Sequence, residues 1–216
     1  MDERTTGLIF RTRPLTDTSM VVQWLTADFG RVATVAKGAH RPQSPFRGKL
    51  DTFFLCDFSF RRSRHSELHT LREVSLVEAH EPLRRDMVKL QQVAYCTALI
   101  EQTTEIETPL PTLYPLVTGL VEYVARHTAP AQIIFAFEMK LLTELGLKPD
   151  LEEKRLTAGT RQLLGKLVTD DWPLLDRLKL SEAQATEIRQ FLHGYLIFHL
   201  GRMPHGRASA LKTGEK

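Results

Sequence analysis

Near residue 80 the spacing of apolar residues changes from every second position to every third or fourth, so the two sides cannot share one kind of secondary structure. Before that point the chain reads as strands. Residues 8–12 form a short β-rich run that should stop at Pro14, which cannot donate to a ladder. Residues 20–26 follow, then Asp28-Phe29-Gly30 as a tight turn, and residues 31–37 run back as the second arm of a hairpin. A long loop with Pro42, Pro45 and Gly48 separates them from two further strands, at 53–61 and 67–77. Five short antiparallel strands escape exposed edges most economically by closing into a barrel. A five-stranded barrel of this size is the OB architecture.

From Pro82 the period is helical. A long amphipathic helix is expected over about 82–104, with Pro82 at its start, and Pro109 and Pro111 interrupt the chain before a second at 113–126. The run Ile133-Ile134-Phe135-Ala136-Phe137-Glu138-Met139-Lys140-Leu141-Leu142 is apolar on nearly every side and ends at Gly146, which predicts the buried central helix of a bundle. A weaker helix is expected at 157–168. Ser181 and Gln184 form a capping box that opens a last helix to about residue 200, before a polar tail. The expected fold is α+β and multidomain: an OB-fold nucleic-acid-binding domain at 1–80, then an all-α domain at 81–216.

Charge separates the same two parts. The chain has 29 Lys and Arg against 26 Asp and Glu. The first 80 residues hold 12 of these cations and 9 of the acids, so the whole excess of three lies there. Between residues 31 and 49 stand Arg31, Lys37, Arg41, Arg47 and Lys49, with His40 and no acid. Arg61, Arg62 and Arg64 follow. Two such runs on turns of one small domain point to an anionic polymer as partner rather than to merely solvated loops.

Little in the chain suggests catalysis. Gly-x-x-x-x-Gly-Lys-Ser/Thr, Gly-x-Ser-x-Gly, His-Glu-x-x-His and Cys-x-x-Cys are all absent. The eight histidines are scattered; His193 and His199 lie six apart, the wrong spacing for one helical face. Glu101, Glu105 and Glu107 read as solvated acids at a helix end and in a loop. No enzyme activity, cofactor or metal is expected. Cys56 and Cys96 read as buried free thiols of a reducing compartment. No apolar run approaches the length of a membrane span, and Met1-Asp2-Glu3-Arg4 lacks the order of a signal peptide, so a cytoplasmic protein is expected. Among the aromatics, Phe54, Cys56, Phe58 and Phe60 alternate onto one strand face and Trp24 shares a face with Met20 and Val22, which reads as barrel core. Phe46, between Pro45 and Arg47, is the one aromatic placed to stack on a base among cations.

Several stretches carry a family resemblance. Leu15-Thr16-Asp17-Thr18-Ser19-Met20-Val21-Val22, Thr26-Ala27-Asp28-Phe29-Gly30-Arg31-Val32 and Ala36-Lys37-Gly38-Ala39-His40-Arg41 resemble the bacterial recombination mediator family RecO. Ser44-Pro45-Phe46-Arg47-Gly48-Lys49-Leu50 and Leu68-His69-Thr70-Leu71-Arg72-Glu73 continue the likeness. Glu138-Met139-Lys140-Leu141-Leu142-Thr143-Glu144-Leu145-Gly146 is similar to the family's central helix, and His199-Leu200-Gly201-Arg202 to its C-terminal helix. The resemblance implies an N-terminal OB domain and a helical C-terminal domain. It also implies DNA repair and homologous recombination in the RecFOR pathway: binding of single- and double-stranded DNA, annealing of complementary strands, and loading of RecA onto SSB-coated DNA together with RecR. The acidic SSB C-terminal tail is a further implied partner, and RecF a candidate one. Many relatives carry a four-cysteine zinc motif in the region matching 148–162, where this chain has no cysteine; a zinc-free member is expected.

The expected DNA-binding residues are Lys37, Arg41, Arg47 and Lys49 on the backbone, His40 and Phe46 beside them, and Arg31, Arg61, Arg62 and Arg64 widening the track. About five phosphate contacts would give a single-strand salt slope near −3.5, a loss of roughly 100-fold between 50 and 200 mM salt. Two other classes fit the composition. An RNA-binding OB protein would prefer RNA over matched DNA, and a non-catalytic scaffold would bind partners without salt-sensitive DNA affinity.

Overall fold

The computed structural model describes residues 2–127, 130–151 and 156–212. The chain divides into two compact units, Met1–Glu81 with Thr104–Thr118, and Pro82–Thr103 with Gly119–Lys216.

Unit 1 is built on five strands, β1 (Asp2–Pro14), β2 (Met20–Thr26), β3 (Gly30–Ala36), β4 (Leu55–Arg61) and β5 (Leu68–Glu78). They close into a barrel in the order β1-β2-β3-β5-β4, the strand order of an OB fold. The strand β1 makes closure possible by serving two neighbours. Its first half pairs with β4, Asp2 opposite Arg61 and Leu8 opposite Leu55, and its second half pairs with β2 as far as Pro14 opposite Met20. A bulge between Ile9 and Arg11 bends it from one partner to the other. The strand is therefore longer than the 8–12 run the sequence suggests. Residues 2–6 show only shallow burial and so lack an apolar signal, and Pro14, as the terminal residue, has no ladder bond to lose.

Side chains from alternate positions fill the barrel. Trp24, fully buried, stacks on Phe58 with centroids 3.9 Å apart, and its indole N–H donates to Thr34 Oγ1 at 2.8 Å. Phe54, Cys56, Phe58 and Phe60 face inward as their alternation requires. The strand expected at 53–61 is corrected at its start: it begins at Leu55, and Phe53 before it has a positive φ of 66° and is buried.

Residues 104–110 form a strap on this barrel. Glu107 N–H donates to Arg31 O, Leu110 N–H donates to Ala27 O, and Ile106 bridges Arg31. Gly30 permits the approach. Its φ is +65°, and a Cβ there would lie 1.8 Å from Thr108 O.

Unit 2 is helical. The expected single helix over 82–104 is two, α1 (Glu81–Arg84) and α2 (Met87–Thr103). Asp86 causes the break, because its carboxylate accepts the N–H groups of Val88 and Lys89 and so caps a new helix. The next helix, α3 (Leu113–Arg126), is shared, its residues to Thr118 belonging to unit 1 and those from Gly119 to unit 2, and it has the limits its apolar spacing predicts. The helix α4 (Ala131–Glu144) is buried nearly all round and packs on α5 (Ala158–Thr169), α6 (Trp172–Asp176) and α7 (Glu182–Leu200) as well as on α2. Ser181 and Gln184 form the expected capping box of α7.

The expected polar tail is corrected. It holds α8 (Arg207–Ala210), which packs on α2. From it Arg207 reaches the fully buried Glu138 of α4 with two bonds, 2.7 and 2.8 Å, and Tyr95 Oη donates to the same carboxylate at 2.6 Å. Burial first, then the Glu138 charge, push the Tyr95 phenol far above its ordinary value and keep it a donor. Of the cysteine-free segment 148–162, residues 152–155 lie outside the described residues; Thr157 beyond them caps α5.

Candidate nucleic-acid interface

The topology decides which cations can act together. Successive strands alternate in direction along the chain, and the expected all-antiparallel barrel is corrected at one seam, where β3 and β5 pair in parallel; the loop between β3 and β4 therefore leaves from the end that carries the β1–β2 connection. The β4–β5 connection lies at the other end, beside the β2–β3 turn and the strap. The loop cations from Lys37 to Lys49 and the Arg61–Arg64 run, 12 residues apart in sequence between Lys49 and Arg61, thus occupy opposite ends of the barrel, and Arg31, at the start of β3, lies at the end of the second run.

At the strap end the cations are engaged. Arg31 donates through Nε to Thr104 Oγ1 at 2.9 Å and through Nη2 to Thr104 O at 2.6 Å. Arg61 pairs with Asp2 at 2.9 Å. Arg62 bridges Glu107 at 2.5 Å and Glu3 at 3.8 Å, with its guanidinium 5.4 Å from the Phe29 ring. Glu107 is not a solvated acid, as its loop position suggests. It also lies 2.8 Å from Nε2 of the buried His69, which stacks on Phe60. Arg64 alone of this group is exposed without an ion-pair partner among the described residues.

The β3–β4 loop differs. Between Ala36 and Lys49 its backbone closes a succession of turns, with N–H to O bonds Ala39 to Ala36, Arg41 to Gly38, Ser44 to Arg41, Arg47 to Ser44 and Lys49 to Phe46. Gly38 starts the series at φ +70°, a left-handed backbone conformation that favours glycine. The loop is tied to the β1–β2 connection by His40 N–H to Thr18 O and Gly38 N–H to Ser19 Oγ. On this frame Lys37, His40, Arg41 and Arg47 are exposed, and none of the four has an acidic partner among the described residues. Lys49 is half-buried, its Nζ 3.4 Å from Val74 O.

Phe46 is corrected. It is 7% exposed and belongs to the barrel core, so it is not a side chain held out in solvent to stack on a base. Its backbone still matters: Phe46 N–H donates to Ser44 Oγ and Phe46 O accepts from Lys49. Around it a cleft of about 450 Å³ opens, lined by Met20, Ala39, His40, Arg41, Arg47 and Leu50 with Phe46, Pro42 and Gly48. The cleft brings His40, Arg41, Phe46 and Arg47 of the expected residues together. Sequence spacing could not reveal it, because one wall, Met20, comes from β2. A second cleft, of about 510 Å³, sets Arg13 and Arg31 against Glu67 and Glu107 and so offers a polyanion no net attraction. Among the described residues no group of His, Cys, Asp and Glu could hold a metal ion, and no helix is long and apolar enough to cross a membrane.

A closed five-stranded barrel of OB order carrying a basic loop without acidic partners among the described residues, followed by helices, defines the class as an OB-fold barrel joined to a helical unit. Sequence comparison agrees on both parts. Residues 1–80 match the family described as Recombination protein O N terminal and residues 84–155 that described as Recombination protein O C terminal. The chain belongs to the RecO family. Among its relatives, the DNA repair protein RecO of Bacillus pumilus is 28% identical over 147 residues, 68% of this chain and 57% of the relative. That of Halalkalibacterium halodurans is 27% identical over 153 residues, 71% of this chain and 59% of the relative. That of Burkholderia pseudomallei is 36% identical over 140 residues, covering 65% and 50%. The matched part of the chain thus spans between half and three fifths of the length of these relatives.

Proposed function

We propose that this protein is a non-catalytic mediator of DNA repair and homologous recombination. In this reading the barrel binds single- and double-stranded DNA and anneals complementary strands. The helical unit takes protein partners: RecR, with which RecA is loaded onto SSB-coated DNA, the acidic C-terminal tail of SSB, and RecF as a further candidate. The protein acts in the cytoplasm, at the nucleoid, without cofactor. The relatives' name, DNA repair protein RecO, supports the process.

The observation that carries the proposal is the pre-ordered β3–β4 loop, with Lys37, His40, Arg41 and Arg47 exposed and without acidic partners among the described residues. Two complementary strands repel each other as polyanions, and a fixed cationic surface lowers that barrier by neutralising phosphates and releasing counterions. The chemistry needs no proton transfer and no nucleophile. A loop held by its own backbone bonds also loses little freedom when it binds.

The test is annealing of two complementary oligonucleotides by the purified protein without ATP, with and without SSB coating. Annealing should accelerate and be suppressed by salt. Arg41→Glu with Arg47→Glu should remove the acceleration while circular dichroism stays that of the wild type. An unaffected double variant would remove the loop from the mechanism, and no acceleration at all would leave an adaptor for protein partners.

A further inference from the structure

The cleft beside the basic loop has two kinds of wall. Its floor is a place where the barrel core is incompletely covered. Met20, Ala39 and Leu50 are half-buried hydrophobics packed against that core, and Phe46 lies beneath them as part of it. Its rim is cationic, with His40, Arg41 and Arg47 all exposed. The rim is also fixed. Arg47 Nη1 donates to Pro42 O at 3.3 Å, His40 N–H is held by Thr18 O, and Arg41 lies over the Gly38 turn. The volume of about 450 Å³ falls within the roughly 300–1,000 Å³ usual for small organic ligands.

A site with an apolar floor and a cationic rim complements a molecule that is flat and apolar in one part and anionic in the next. A nucleotide of an unpaired strand has this form. In a duplex the bases are paired and stacked, with their faces hidden and only their edges reachable in the grooves, so a duplex can use the rim but cannot lay a base on the floor. We infer that the cleft seats one unpaired base of a DNA strand while Arg41 and Arg47 hold the flanking phosphates. The inference rests on the reading that this loop binds DNA, and adds to it a means of telling unpaired from paired strands. Phe46, removed from the role of an exposed stacking ring, supports the floor.

The test compares strands of equal charge. The full chain is titrated, by fluorescence anisotropy, into a labelled oligothymidylate and into an abasic strand of the same length and phosphate count. The oligothymidylate should bind about tenfold more tightly, in line with the contribution of one well-seated base. Ala39→Phe, which fills the cleft from the loop side, should bring the two affinities together. Met20→Trp, which fills it from β2, should do the same should the first variant fold poorly. Equal binding of the two strands by the wild type would overturn the cleft as a base site and leave the phosphate-binding loop standing. A preference that persists in both filled variants would overturn it as well. Absence of binding to either strand would instead overturn the DNA reading on which the inference rests.

Discussion

Single side chains at the base of the loop set a pH dependence that is independent of any ligand. Cys56 has no exposed surface, and its Sγ–H points to Lys49 O at 3.6 Å. Burial first, then the neighbouring Asp57 charge, push its thiol from about 9 up to about 12. The folded chain therefore keeps a proton that the unfolded chain releases, and stability falls as pH rises from the unfolded value toward the folded one. Between pH 8 and 10 this group alone should cost about 1.4 kcal/mol. Urea unfolding at both pH values should show the wild type losing that much more stability than Cys56→Val; equal losses would place the thiol elsewhere. The burial of Cys56 was legible in the sequence, since it alternates with Phe54, Phe58 and Phe60 on a strand. That of Phe46 was not, because it stands in an irregular segment. There hydrophobic periodicity carries no information, and what decides is how successive turns fold the chain back on the core.

Elements whose apolar stripe is long enough to set a phase were legible to the residue, as with β2 at Met20–Thr26 and α3 at Leu113–Arg126. Short ones were not. A four-residue helix has no period to read, so α8 was invisible, yet the sequence held its counterpart. Glu138 is the one acid in the apolar run of α4, and an acid buried there requires a cation from elsewhere. Arg207 supplies it across 69 residues, and Arg207 Nη1 also donates to Arg189 O in α7. Replacing Arg207 by Leu should strand the Glu138 carboxylate and cost about 3–5 kcal/mol in chemical denaturation. The double variant Glu138→Gln with Arg207→Leu removes the buried charge and keeps an acceptor for Tyr95 Oη, so it should recover most of that loss. Additive losses in the double variant would show that α8 contributes by packing alone. The split of α1 from α2 has the same moral, since Asp86 resembles any surface acid until its carboxylate is seen on two backbone N–H groups.

At the scale of the molecule, the sequence placed the positive charge in the correct unit but not in the correct geometry. Counting residues joins 31–49 to 61–64, whereas barrel closure sends 37–49 and 61–64 to opposite ends and leaves Arg31 at the latter, where the strap from 104–110 occupies it together with Arg62. That the strap belongs to unit 1 could not be read locally, because its bonds are made by backbone groups and by a positive-φ Glu107 in a stretch without periodicity. With Arg31, Arg61 and Arg62 engaged, the cations left to meet phosphates are Lys37, Arg41, Arg47 and Arg64, and only the first three share the β3–β4 loop. Three to four contacts imply a single-strand salt slope of about −2 to −3 rather than −3.5, and a loss of roughly 20- to 50-fold between 50 and 200 mM salt. Affinity for an oligothymidylate measured across that range gives the slope directly. Arg41→Glu should make it shallower by at least about 0.7, the share of one phosphate contact. Arg62→Glu should leave it nearly unchanged while lowering stability, since it sets a like charge against Glu107 and Glu3. A slope that steepens past −3.5, or one that falls equally with Arg62→Glu, would mean that the strap opens on binding and that both ends of the barrel hold the strand.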